Sequence, residues 1–165
     1  MHYPSESSKK NLYIEHYYRL LGKILVEFNK LEHTILRSIV DFLKPTTAES
    51  LIDVQGALSF LSFEDKVQVL RNLVAKHKRK DVGKFKKIFV RLMEIQKKRN
   101  DYFHSYWFLD AQDELDSDVM KINPQKLFRF QSTDSGLAHK EVFLSQRDLR
   151  IFLKEIRDIR VDLRH

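Results

Sequence analysis

From Tyr13 to Phe42 the apolar residues Tyr13, Tyr17, Leu20, Ile24, Phe28, Leu31, Ile35, Ile39 and Phe42 recur at steps of three and four. A strand, which alternates with a period of two, cannot bury such a set on one face; a helix can. The pattern predicts a helix over 11–43, closed by Pro45, which lacks the N–H that a further turn would need. A helix of that length has one face packed along the whole domain or against a second copy. Only 4 Gly and 3 Pro occur in 165 residues, which again favours long helices over a turn-rich β architecture.

The remaining periodicities extend the helical reading. Residues 46–61 form a connector with room for one short helical piece. Ser62 followed by Asp65 resembles a capping box and opens a helix to about Lys78, with Val67, Leu70 and Val74 as its buried line. The basic cluster His77-Lys78-Arg79-Lys80 suits the negative end of that helix. A further helix covers 82–104. Residues 110–118 read as an acidic loop, and 119–130 and 137–144 as two short strands joined by a hairpin turn. Ser145 with Asp148 caps a last helix through Leu163, lined by Leu149, Phe152, Leu153, Ile156 and Ile159. The expected organisation is a flexible arm over 1–10 and a single domain over 11–165.

The helix over 82–104 carries an anomaly. Its apolar stripe runs Phe85, Ile88, Leu92, Ile95, Arg99, Tyr102, so a guanidinium stands where packing would place leucine. Moving that charge out of water without partners costs several kcal/mol or more. A carboxylate or a wet, anion-binding cleft must compensate, and Glu32 and Asp101 are the two candidate partners. Cations gathered at a helix C-terminus offset its dipole, which accounts for Lys97-Lys98-Arg99 as a run but not for Arg99 on the apolar face. His104 follows five residues later; on an unbroken helix at roughly 100° per residue the two side chains diverge by about 140°. Either the last turn unwinds, or the groups meet across a dimer interface. Asn100 shares a face with His104 and can hold the imidazole. Tyr106 is a candidate base-stacking platform beside Lys97 and Lys98.

The segment Arg99-Asn100-Asp101-Tyr102-Phe103-His104, at the end of a long helix, resembles the motif of the HEPN (higher eukaryotes and prokaryotes nucleotide-binding) superfamily. The opening helix, with Gly22–Glu32, is similar to the first helix of several bacterial branches of that family, and Leu61–Lys66 resembles the start of their second. The resemblance implies an all-α fold, an antiparallel four-helix bundle, into which the two expected strands insert a small β-hairpin before the last helix, a branch-specific elaboration. It also implies a metal-independent endoribonuclease in which the ribose 2′-hydroxyl attacks phosphorus and leaves a cyclic phosphate. Arg99 would contact phosphate oxygens, His104 would transfer the proton, and Asn100 would orient imidazole or substrate. One catalytic histidine per chain is few for a reaction that needs both an acid and a base, so the resemblance implies a homodimer; the family's toxin and defence settings imply RNA and an antitoxin protein as partners. The alternatives are a non-catalytic module binding RNA, a nucleotide or a protein, and a structural role in which Arg99 pairs with Glu32. Ser105 departs from the glycine that many relatives carry after the histidine.

Composition narrows the rest. With no cysteine, disulfides, thiolate zinc sites and thiol nucleophiles are excluded. The seven histidines lack ligand spacing, so neither a metal nor another cofactor is expected. No Gly-rich phosphate loop, nucleophile elbow or dinucleotide fingerprint occurs. The start has no signal-peptide pattern and no run is apolar enough to span a membrane, so a cytoplasmic protein is expected. A net charge of +7 biases encounters toward polyanions.

Overall fold

A computed structural model describes the backbone over 6–78, 82–103, 106–108, 125–133 and 136–164, with side chains over 15–78, 82–103 and 144–164. Among the described residues are five helices and three strands: α1 (Glu6–Leu43), α2 (Ala48–Ser59), α3 (Phe63–His77), α4 (Val82–Phe103), β1 (Tyr106–Phe108), β2 (Gln125–Thr133), β3 (Gly136–Leu144) and α5 (Gln146–Asp162). None of these helices is long and apolar enough to cross a membrane. They fall into two compact units, one of Met1–Leu25 with Arg99–Leu153 and one of Val26–Lys98 with Lys154–His165.

The unit of Val26–Lys98 and Lys154–His165 is a helical bundle. From α1 it buries Phe28, Leu31, Ile35 and Ile39; from α3, Phe63, Val67, Leu70 and Val74; from α4, Ile88, Phe89, Leu92 and Ile95; and from α5, Ile156, Ile159 and Leu163. Phe28 meets Phe63 with ring centroids 4.9 Å apart, Glu32 meets Lys66, and Phe42 lies 5.9 Å from the His77 ring. These pairs advance together in sequence, so α1 and α3 run in the same direction. The reason lies in the connector: α2, opened by a reciprocal capping box between Thr47 and Ser50, is a 12-residue helix, about 18 Å long at 1.5 Å per residue, and carries the chain back. An up-down order throughout, as the antiparallel expectation had it, does not hold. Against α5, α4 is antiparallel, with Arg91 on Asp162 and Lys98 on Glu155, and α1 places Glu27 beside Arg157 and Arg160 of α5. α1 ends where Lys44 takes a left-handed φ of 48° just before Pro45.

In the other unit, Tyr17, Leu20 and Ile24 of α1 are buried, as are Tyr102, Leu144, Leu149, Phe152 and Leu153. The Tyr17 hydroxyl donates to the Leu144 carbonyl at 3.3 Å. β1, β2 and β3 form an antiparallel sheet in chain order, registered by Trp107 opposite Leu127 and Phe128 opposite Glu141. β2 begins at Gln125, where the pattern suggested 119; residues 109–124, including the expected acidic loop, lie outside the described residues. α1 begins at Glu6, so 6–10 of the expected arm are helical. Ser145 caps α5: its N–H and hydroxyl donate to Asp148 Oδ2 at 2.8 and 2.7 Å, and the Asp148 N–H donates to Ser145 Oγ at 3.1 Å.

Two outcomes follow. Lys66 is buried and its ammonium lies 2.6 Å from Glu32 Oε1, so Glu32→Ala should destabilise by about 2–3 kcal/mol in urea unfolding, below the range for a wholly buried pair because Glu32 is part-exposed. Lys66→Met in the same chain should recover most of that loss. The hydrogen bonds from Ser145 hold the Asp148 carboxyl below its ordinary value of 3.8. The stabilisation is therefore complete above 3.8 and is lost as pH falls through the lower folded-state value. Asp148→Asn should lower stability at neutral pH, with the gap to wild type closing in acid urea titrations.

Candidate functional site

Arg99 lies in the last turns of α4, between the buried Ile95 and Tyr102, and is itself half-buried with its Nε shielded from solvent. Tyr102 anchors this end of the helix, its ring edge-on to Phe152 at 5.0 Å and 83°. The Arg99 Nη1 donates to Asn100 Oδ1 at 3.1 Å, and its Cζ lies 5.8 Å from the Phe103 ring centroid. The adjacent amide and the ring four residues on thus fix the plane of the guanidinium. A planar fork of donors held this way can engage phosphate or carboxylate oxygens in pairs.

The other expected site residues differ in what they engage. Asn100 accepts from Arg99, whereas the sequence offered it to the imidazole. Asp101 is half-buried on the same turn. Lys97 is exposed, but the Lys98 ammonium donates to Glu155 Oε2 at 2.7 Å, so it is not an unengaged phosphate ligand. Glu32, one of the two carboxylates considered for Arg99, accepts from Lys66 instead. α4 is described to Phe103; His104 and Ser105 lie outside the described residues, as does the Tyr106 side chain, although the Tyr106 backbone belongs to β1.

A second charged centre escaped the sequence reading. Glu27 of α1 is only 7% exposed, yet three cations converge on its carboxylate. Lys30 Nζ lies 3.2 Å and Arg157 Nη2 3.6 Å from Oε1, and Arg160 Nη1 lies 2.8 Å from Oε2. The last contact is a close charge pair without an aligned N–H bond, so Oε2 is compensated electrostatically even though it accepts no formed hydrogen bond. The signal was present: Ile24, Glu27, Leu31 is the same three-four step that marked Arg99. A cavity of about 160 Å³ among Phe42, Leu70, Lys78 and Phe85 is a weaker candidate, because the Lys78 ammonium already sits 5.9 and 5.7 Å from the two ring centroids.

No family model, no curated protein and no solved structure matches the chain.

Glu27→Leu should destabilise by about 2 kcal/mol, since Arg160 and its neighbours would be left to repel one another. Adding Arg160→Met should restore most of the loss in a double-mutant cycle followed by urea unfolding.

Proposed function

We propose that the chain is a metal-independent endoribonuclease of the HEPN type. Its bundle helices are α1, α3, α4 and α5, with the sheet inserted before the last, and it works as a homodimer on RNA in a toxin or defence setting with an antitoxin as partner. The observation that carries the reading is Arg99: a part-buried guanidinium on an apolar stripe, oriented by Asn100 and Phe103, five positions before His104. A charge placed there for packing alone would be a liability; one aimed at a phosphate has a use.

In the proposed reaction, a base removes the proton from the ribose 2′-hydroxyl, the oxygen attacks the adjacent phosphorus, and the 5′-oxygen leaves with a proton. The phosphorus becomes part of a 2′,3′-cyclic phosphate. His104 supplies one of the proton transfers, its ordinary pKa lying nearest neutrality. The second copy's histidine supplies the other, and Arg99 offsets the charge that gathers on the phosphoryl oxygens. Asn100 acts through Arg99 as a positioning residue.

Incubation with structured and single-stranded RNA in EDTA should give cleavage by wild type with cyclic phosphate ends. His104→Ala should lose about a hundredfold or more of that rate, and DNA should remain intact. Equal cleavage by wild type and His104→Ala would refute the assignment. Salt-sensitive RNA binding without cleavage by either protein would favour a non-catalytic binding module.

A further inference from the structure

On the exposed face where α1 and α5 adjoin, cationic side chains recur along both helices. On α5 and the turn that follows it, Lys154, Arg157, Val161 and Arg164 recur at steps of three, four and three, and all four are exposed. On α1, Val26, Lys30, His33 and Arg37 recur at four, three and four, again all exposed. Both rows lie on the solvent side of their helices, away from the buried lines through Leu31, Ile35 and Ile39 and through Ile156, Ile159 and Leu163.

The two helices are neighbours here, because Lys30 from α1 and Arg157 from α5 reach the same Glu27 oxygen, while Arg160 holds the other. Three cations share one carboxylate, so the cluster retains excess positive charge. Two of α5's acids, Glu155 and Asp162, are turned to Lys98 and Arg91 of α4. The exposed acids beside the rows are Asp158 on α5 and Asp41 on α1, against the cations Lys30, Arg37, Lys154, Arg157, Arg160 and Arg164.

We propose that this α1/α5 face binds the phosphate backbone of a nucleic acid, without reading its bases or its sugar. Lysines and arginines on flexible stems, with no aromatic side chain between them in either row, give charge contact and no base selection. The proposal does not depend on cleavage at Arg99 and His104.

The test uses the whole protein and a fluorescently labelled 20-nucleotide oligo(dT), which lacks the 2′-hydroxyl, so binding is read apart from cleavage. Anisotropy titrations between 50 and 200 mM salt give affinity and its salt slope. Wild type should bind, and Lys30→Gln/Lys154→Gln/Arg157→Gln should lose about tenfold or more in affinity, with a slope smaller by about 2, given roughly 0.7 per single-strand phosphate contact. A second variant, Arg37→Gln/Lys154→Gln/Arg164→Gln, leaves the contacts of Glu27 intact and should lose affinity similarly even if the first is less stable. The control Lys84→Gln/Lys86→Gln/Lys87→Gln removes the same charge from exposed positions of α4 and should retain the wild-type slope. Absence of binding by wild type, unchanged binding in both α1/α5 variants, or an equal loss in the control would overturn the proposal.

Discussion

Ion pairs between helices set the register of the larger unit, because apolar contact alone is non-directional and tolerates sliding. Glu27 ties α1 to Arg160 of α5, Glu32 ties α1 to Lys66 of α3, and α4 is pinned to α5 by Arg91 on Asp162 and Lys98 on Glu155. Two of these pairs include a buried member, Glu27 or Lys66, where a shift of one turn would strand a charge away from water. Such pairs add little net stability over apolar replacements, but breaking them is costly, and that asymmetry penalises alternative registers.

The buried faces were legible because they follow the helical period. The line from Tyr17 through Ile39, the Val67, Leu70, Val74 row and the α5 core are all buried, and both the Ser62–Asp65 and Ser145–Asp148 capping boxes form. Helix direction was not legible. Whether a connector turns tightly or crosses the bundle depends on α2, whose start is marked by Thr47 and Ser50, two small hydroxyl residues that resemble ordinary loop composition. β1 was equally hidden, since three residues, Tyr106–Phe108, are too few to show a period.

At the site, periodicity identified Arg99 and could equally have identified Glu27, since each interrupts an apolar row. It could not assign partners. Glu32 lies at the edge of its stripe and was as plausible for Arg99 as for any other cation; only the parallel packing of α1 and α3 gives it to Lys66. Lys98 reads as one more cation in a basic run, and its engagement by Glu155 depends on α5 lying antiparallel to α4. Partner choice is a property of packing geometry, which a one-dimensional pattern does not contain.

The fate of Lys98 bears on how a polyanion would be handled. With its charge taken by Glu155, the Lys97-Lys98-Arg99 run supplies less unpaired charge than its composition suggests, and Arg99 is oriented by its own neighbours Asn100 and Phe103. An oriented guanidinium selects geometry, whereas mobile surface cations raise encounter rate and affinity without selecting it. Those tasks conflict in a single cluster, since loosely held lysines beside Arg99 would compete for any phosphate engaged in the proposed reaction. Long-range attraction is better supplied by cations outside the α4 motif, and the α1/α5 rows carry them on solvent-facing stems, with their excess charge anchored by Glu27.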